Sequence, residues 1–298
     1  MKTRFACLCA AVTLASGVLT AQAAPQTQVA SVPAAASARL ISTDGFVTEL
    51  LFSLGADAQL VGVDVTSKLP ADYRKLPNIG YHRTLSAEGL LKLRPTQVIG
   101  SEFMGPQAVV SALKSAKVGV TQLPMAHTAE QLKSNISTLA SLVSQEPKAK
   151  KLLAEINSEL VQLKHQPLST MRVAVLLSMD PSKLRLAGSG TSGDAFVQLL
   201  QARNVADFKN YQTVSAESLL SLQPDLIVVI GRDKTTAANE LMTHSPVLKN
   251  TPAGAHSRIV AIDGGALIAG LSPAAISEAL AVTKIFSGES AALKSASR

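Results

Sequence analysis

The chain carries two copies of one segment, SAEGLLKLRP at residues 86–95 and SAESLLSLQP at residues 215–224. An apolar run follows each copy, at residues 98–99 and at residues 226–230. Each copy is typical of a short helix that stops at a proline and leads into a buried strand. Two such units, 129 residues apart, predict two similar α/β lobes with a ligand cleft between them.

The N-terminus predicts a secretory signal peptide over residues 1–23. Basic Lys2 and Arg4 precede the apolar residues 5–20, and the AQA tripeptide ending at Ala23 matches the small-residue cleavage motif. The apolar stretch is too short to span a bilayer. The sequence therefore predicts a periplasmic protein of a Gram-negative cell, secreted through the inner membrane and cleaved near Ala23.

The composition of the remaining chain limits the classes of function. Cys7 and Cys9 both lie in the signal peptide, so the mature chain forms no disulfide. Residues 24–38 are rich in Ala, Ser, Pro and Gln and predict a disordered leader. Without the signal's two basic residues, 26 basic and 21 acidic residues leave a charge of +5, which weakly favours anionic ligands. No Lys/Arg run is interleaved with aromatics, so nucleic acid is not an expected partner.

Strands and helices alternate along the mature chain, and this order predicts mostly parallel sheets. The expected domains are an N-terminal lobe at residues 39–126, a helical linker at residues 127–168 and a C-terminal lobe at residues 169–298. Within the linker, Pro147 suits the first turn of a second, longer helix. The predicted fold class is α/β, with two Rossmann-like lobes joined by one long α-helix and a ligand cleft between the lobes.

Local signals predict where some helices begin and end. Asp44 is expected to cap a helix that stops at Gly55. A helix over residues 108–117 is expected to stop at Gly119. Residues 188–193 fit G-x-G-x-x-G, but a dinucleotide fingerprint follows its strand directly, and here about ten residues intervene. They are therefore expected to cap the next helix.

A tyrosine lies just upstream of each repeated segment. Tyr81 precedes the first copy and Tyr211 the second, in a chain that has only three tyrosines. From the residues alone, each is either a cleft tyrosine that contacts a ligand or an ordinary packing tyrosine.

This layout resembles the periplasmic binding proteins of ABC importers whose lobes are joined by one long helix, a group that takes cobalamin, ferric siderophores and haem. Within the group, GYHRTLSAEG at residues 80–89 is similar to the haem-binding branch, in which a Gly-Tyr-x-Arg turn leads into Ser-Ala-Glu-Gly. The resemblance covers nearly the whole mature chain. It implies a non-enzymatic protein that carries ferric haem as its transported ligand, with an ABC permease and its ATPase as partners and an outer-membrane haem receptor upstream. We expect a monomer.

The resemblance implies that Tyr81 is the axial ligand of the haem iron. Tyrosine is a known protein ligand to haem iron. A free phenol has a pKa of ~10, so its ionisation depends on the cationic iron, and a hydrogen bond from Arg83 would favour the phenolate further. Some members add a histidine from the second lobe, where this chain has Met179. Thioether sulfur matches ferric iron poorly, so a five-coordinate tyrosinate site is expected.

Other ligand contacts are assigned by position. Tyr211 is the counterpart of Tyr81 on the second lobe. Arg232 matches a cleft arginine of the resembling proteins and suits a propionate or the ring face, unless it is a solvated loop arginine. The side chains expected against the porphyrin faces are Phe103, Met104, Met179 and Leu271.

Glu88 and Glu217 occupy equivalent places in the two repeated segments. In the resembling proteins, similar glutamates dock onto arginines of the membrane permease. The alternative is that both carboxylates only stabilise the N-termini of their short helices.

Two rival functions remain open. One is a ferric-siderophore or cobalamin binding protein on the same fold, which the absence of tryptophan disfavours mildly. The other is a haem-dependent enzyme, for which the sequence offers no recognisable catalytic motif. The five histidines do not pair at metal-ligand spacing, and His82 is expected to point away from Tyr81.

Overall fold

The computed structural model describes residues 38–166, 168–178, 180, 183–231, 233–267 and 269–296, with side chains described up to residue 286. The predicted signal peptide, and the predicted leader except for Ala38, lie outside the described residues. No helix in the described part of the chain is both long enough and apolar enough to cross a membrane.

The first lobe is built on a parallel sheet with the strand order β2-β1-β3-β4. Its strands are β1 (Leu40–Ser42), β2 (Leu60–Val63), β3 (Gln97–Ser101) and β4 (Gly119–Leu123). Its helices are α1 (Gly45–Ser53), α2 (Ala87–Lys92) and α3 (Gln107–Ser115). The apolar runs of β1 and β3 are buried on both faces, as expected for parallel strands covered by helices.

Helix boundaries in this lobe follow local rules. The carboxylate of Asp44 accepts the backbone N–H of Val47 and caps α1, and Gly55 follows the helix end with a φ of +61°, which confirms both predictions. The predicted stop of α3 at Gly119 is wrong. The helix ends at Ser115, Lys117 takes the left-handed conformation with a φ of 61°, and Gly119 already begins β4. Lys117, not a glycine, takes the left-handed conformation that ends the helix, so Gly119 is not the C-terminal stop.

The linker contains two helices, α4 (Ala129–Leu142) and α5 (Glu146–Lys164). Thr128 and Gln131 form a capping box at the start of α4, and Pro147 lies in the first turn of α5 as predicted. Helix α5 has 19 residues, a length of roughly 28 Å. It buries one stripe against α4 and the C-terminal helix α10 (Pro273–Ala296).

The second lobe has the strand order β10-β9-β5-β6-β8, with β7 paired to β5. Its strands are β5 (Arg172–Ser178), β6 (Leu184–Ala187), β7 (Arg203–Asn204), β8 (Tyr211–Val214), β9 (Leu226–Gly231) and β10 (Ile259–Asp263). Its helices before α10 are α6 (Ser192–Leu199), α7 (Ala216–Ser221), α8 (Ala237–His244) and α9 (Pro252–Ala255). Strands β6 and β8 are antiparallel, and this extension was not predicted.

The repeated segments form equivalent structures. Ser86 caps α2 and Ser215 caps α7, each by accepting a backbone N–H three residues on. After each helix the residue before the proline is left-handed, with φ of 49° at Arg94 and 46° at Gln223. The proline then leads into β3 or β9, so the sequence repeat corresponds to a repeat in structure.

The lobes are joined by more than helix α5. The backbone N–H of Leu271, in the second lobe, donates to the carbonyl of Ala126 at 2.7 Å, and Ala126 donates to Ala269 at 3.3 Å. Gly270, between them, has a φ of +92°, and a Cβ there would lie 2.5 Å from the Ala126 carbonyl oxygen. A continuous apolar core includes α1, both linker helices, the inner face of the second sheet and α10. This second connection opposes large lobe movements.

Candidate functional site

The cleft between the lobes has a volume of about 820 Å³, within the range of small-molecule sites of ~300–1,000 Å³. The first lobe contributes residues 65–68 after β2 and residues 81–83 before α2. The second lobe contributes the ends of β5 and β9, residues of β6 and β8, the start of α6, and the turn after β10. Ligands in open α/β sheets bind at the carboxyl ends of the strands, where most of these residues lie.

Tyr81 is held at the cleft by a glycine turn. Gly80 has a φ of +89°, its N–H donates to the side chain of Asn78 at 2.8 Å, and its carbonyl accepts the N–H of Val65 at 3.1 Å. The side chain that follows is 42% exposed. Its phenol oxygen has no hydrogen-bond partner among the described residues. The turn thus presents a phenol to the cleft with its oxygen available.

His82 lies buried beside Tyr81, so the prediction that it points away from Tyr81 is wrong. It is 4% exposed, and its Nδ1 lies 3.4 Å from the buried carboxylate of Asp64. The same carboxylate accepts the backbone N–H and hydroxyl of Thr66 and the hydroxyl of Ser67. The His82 ring lies 4.3 Å from the Tyr81 ring, measured between centroids. Asp64 therefore connects the two segments that form the first wall of the cleft.

Arg83 also lines the cleft, and it is exposed. Its guanidinium lies over the ring of Phe103, 4.5 Å from the centroid. No hydrogen bond links it to the phenol of Tyr81 in the described part of the chain, so its predicted role toward the phenolate stays a prediction.

Tyr211, at the start of β8, lies on the opposite wall. It is half-buried, and its hydroxyl lies 3.2 Å from the hydroxyl of Ser192 at the start of α6. The guanidinium of Arg185, on β6, lies 5.4 Å from its ring centroid. The structure thus brings Tyr81, Arg83 and Tyr211 to one cleft, with Arg185 as an additional cation.

An ion pair closes one side of the cleft between the lobes. Lys68 donates to both carboxylate oxygens of Asp263, at 2.5 and 2.7 Å. Partial burial would raise the pKa of Asp263, but the bond and charge of Lys68 and the N–H of Gly265 outweigh it and hold the pKa below its usual range. Behind this pair, Glu49 on α1 accepts the N–H of Ala274 at 2.9 Å. Burial is the main reason that the pKa of Glu49 is raised.

The family model for periplasmic binding proteins matches residues 40–266. The chain belongs to this family. Among solved structures, the periplasmic haem-binding protein HutB of Vibrio cholerae is 36% identical, with a TM-score of 0.76, and the likeness covers 84% of this chain and 99% of HutB. A periplasmic haem-binding protein from Pseudomonas aeruginosa is 32% identical, with a TM-score of 0.73, covering 83% of this chain and 92% of that one.

Curated sequence relatives of this periplasmic binding protein include the vitamin B12-binding protein of Pectobacterium carotovorum. It is 24% identical over 199 residues, which cover 65% of this chain and 71% of that protein. Relatives of this chain therefore include proteins that bind haem and proteins that bind vitamin B12.

Glu88 and Glu217 occupy equivalent positions in the two repeated helices. Glu88 and Glu217 are both in the first turn of their helices, and both are exposed. The serine caps already satisfy a backbone N–H in each first turn. Both carboxylates are therefore available on the surface of this periplasmic binding protein.

Four of the sequence assignments need separate comment. Met179 and Arg232 lie outside the described residues. Met104 and Leu271 are wrong as porphyrin contacts, since they are 3% and 1% exposed and pack in the protein core. The assignment by loop position failed because side-chain direction within a loop depends on packing.

The G-x-G-x-x-G segment caps α6 through Thr191, as predicted.

The sequence reading missed two cleft cations of this binding protein. Lys68 lies in the loop after β2 and Arg185 in a short strand. Neither residue had a usable sequence signal, because Lys68 lies in a loop and the alternation of Arg185 with Leu184 and Leu186 is too short to identify a strand. The described cleft residues include no cluster of three or more His, Cys, Asp or Glu side chains suited to a metal ion.

Proposed function

We propose that this periplasmic binding protein captures ferric haem in the cleft, with Tyr81 as the axial ligand of the iron, and delivers it to an inner-membrane ABC importer. The observation that carries the proposal is the exposed phenol of Tyr81, presented by the Gly80 turn in a cleft lined by cations. The likeness to two haem-binding proteins above 30% identity supports it.

The first wall suits a flat, apolar ligand that carries a metal ion. Val65 is 55% exposed beside the 42% exposed Tyr81, and burial of such apolar surface favours binding by about 25 cal/mol per Å². Bound ferric iron would favour the phenolate form of Tyr81 by its positive charge and take it as a hard oxygen ligand. Arg83 is two residues from Tyr81. If its guanidinium moved away from the Phe103 ring, it could donate a hydrogen bond to the phenolate oxygen.

The other site residues have subsidiary roles in the proposal. Tyr211 contacts the porphyrin from the second lobe, through its ring or its hydroxyl. Arg232 pairs with a propionate and Met179 packs against a porphyrin face without ligating iron, because thioether sulfur is a poor match for ferric iron. The site is then five-coordinate, and haem is the transported cargo of a monomeric, non-enzymatic protein.

Delivery requires a partner in the membrane. Glu88 and Glu217 are exposed at equivalent positions of the two lobes, so we assign them to docking on arginines of the permease, whose ATPase drives import. The compartment is the periplasm, reached after cleavage near Ala23, and an outer-membrane haem receptor supplies the haem. Replacing both glutamates by lysine should abolish haem uptake by cells while haem binding by the purified protein is unchanged. Unchanged uptake would overturn the assignment.

The test of the haem proposal is an absorption titration of the mature protein with ferric haem. The expected result is a saturable one-to-one complex with high-spin tyrosinate bands, which Tyr81→Phe loses. Tyr73→Phe is the matched control, because Tyr73 packs against Phe52 outside the cleft. A complex that keeps its bands in Tyr81→Phe would move the ligand elsewhere, to Tyr211 or a histidine.

Cobalamin is the second candidate ligand, because vitamin B12-binding proteins are among the sequence relatives, and ferric siderophores are a third. A competition titration decides between them. Saturable binding of cyanocobalamin or a ferric siderophore, with no haem complex, would replace the haem proposal. Peroxide turnover by the haem complex would instead indicate a haem-dependent enzyme.

A further inference from the structure

Arg185 is placed in the cleft by strand geometry. In β6 its neighbours Leu184 and Leu186 are 4% and 0% exposed, whereas Arg185 is exposed. Successive side chains of a strand point to opposite faces, so burial of the two leucines directs the arginine to the other face. That face lines the second wall of the cleft, together with Ser192 and Tyr211.

The side chain of Arg185 is oriented but not neutralised. Its guanidinium lies 5.4 Å from the ring centroid of Tyr211, a cation–π contact that restricts the arginine. The Tyr211 hydroxyl is in turn 3.2 Å from Ser192. Within the described residues, no carboxylate lies within ion-pair distance of Arg185. Lys68, the other missed cation, is already paired with Asp263.

We propose that Arg185, positioned against Tyr211, recognises a carboxylate of the bound ligand and thereby selects anionic ligands; this rests on the proposed haem function. A guanidinium presents parallel N–H donors that match a carboxylate in a two-bond pair. Tyr81 lies on the opposite wall of the same cleft. A ligand whose centre is bound by Tyr81 and whose edge carries carboxylates spans both walls, and ferric haem with its two propionates has this form.

The test compares ferric haem with its dimethyl ester, which has the same iron and porphyrin but no carboxylate. Arg185→Gln should weaken binding of ferric haem by about 10- to 100-fold, the usual effect of losing hydrogen bonds to a charged group. For the dimethyl ester, Arg185→Gln and the unmodified protein should bind equally. Arg203→Gln is the matched control, since Arg203 is exposed on β7 of the same lobe and outside the cleft.

Other outcomes overturn specific parts of the reasoning. If Arg185→Gln binds haem as tightly as the unmodified protein, Arg185 does not recognise a carboxylate. If the variant loses haem and dimethyl ester equally, Arg185 acts only by supporting the cleft wall. If the unmodified protein binds neither compound, the haem proposal itself fails, and the carboxylate role fails with it.

Discussion

Asp64→Ala should destabilise the fold and loosen the wall that carries Tyr81. The Asp64 side chain has no exposed surface. It accepts the backbone N–H of Thr66 at 3.1 Å, the hydroxyls of Thr66 and Ser67 at 2.8 and 2.9 Å, and lies 3.4 Å from Nδ1 of His82. An ionised carboxylate can only accept hydrogen bonds, so Asp64 serves several donors at once, and alanine would leave them without their acceptor.

The size of the effect follows from this burial. Removing one partner of a buried charged network costs about 3–5 kcal/mol. The pKa of buried Asp44 is raised mainly by burial and partly by repulsion from Asp64. Removing Asp64 also removes this repulsion, which offsets part of the loss in stability, so the lower end of the range applies. For a domain of this size, 3 kcal/mol corresponds to a melting temperature lower by roughly 6–12 °C. Asp64→Asn keeps one acceptor oxygen, so its free energy of unfolding should fall by about half as much as that of Asp64→Ala.

The assay is thermal unfolding followed by circular dichroism, with a haem titration of each variant. Asp72→Ala is the matched control, because Asp72 carries the same charge in the same loop but is exposed. Haem affinity should fall in Asp64→Ala by less than in Tyr81→Phe, since the phenol itself is retained. If Asp64→Ala and Asp72→Ala melt at the same temperature, the buried network contributes nothing and the reasoning is refuted.

Two further predictions concern the contacts between the lobes. Lys68→Gln should lower the free energy of unfolding by less than about 1 kcal/mol, because the pair with Asp263 is exposed, and this loss should vanish in denaturation experiments at high salt. Burial of Glu49 favours its protonated form, whereas an ion pair or hydrogen bonds to a carboxylate favour the ionised form. Its pKa is raised above the ordinary value of 4.5, so the stability it contributes is complete below that pH and is lost as the pH rises through the raised pKa. Glu49→Gln should therefore melt higher than wild type near neutral pH and lose this advantage below 4.5; an advantage independent of pH would contradict the burial argument.

Features that depend on neighbouring residues were predictable from the sequence. The cap at Asp44 and the cap of α6 by the glycine-rich segment formed where they were expected, because capping is decided within a few residues. The two lobes and the parallel strands followed from the spacing of apolar runs. The antiparallel strand β6 was missed because its four residues give too short an alternation to identify.

Features that depend on contacts distant in sequence were not predictable. Asp64 and His82 are separated by 18 positions, and Lys68 and Asp263 by 195. No local pattern indicates that these side chains meet, because their proximity follows from how the loops pack. The same reason accounts for Met104 and Leu271, whose loop positions suggested the cleft while their packing buried them.

The fold alone does not select between haem, cobalamin and siderophores, since relatives with different ligands share it. The haem proposal therefore rests on the cleft side chains. A hexadentate siderophore already fills the coordination positions of its iron, so the phenol of Tyr81, which has no hydrogen-bond partner in the part of the chain that the structure describes, would gain no bond to that iron. Cobalamin carries neutral amides on its ring edge and its single negative charge on the phosphate of its nucleotide loop, so it offers a guanidinium such as Arg185 no carboxylate to pair with. Ferric haem offers an open axial position and two carboxylates. It is therefore the ligand that offers a partner to both the phenol of one wall and the guanidinium of Arg185 on the other, and this agreement between walls supports the haem proposal.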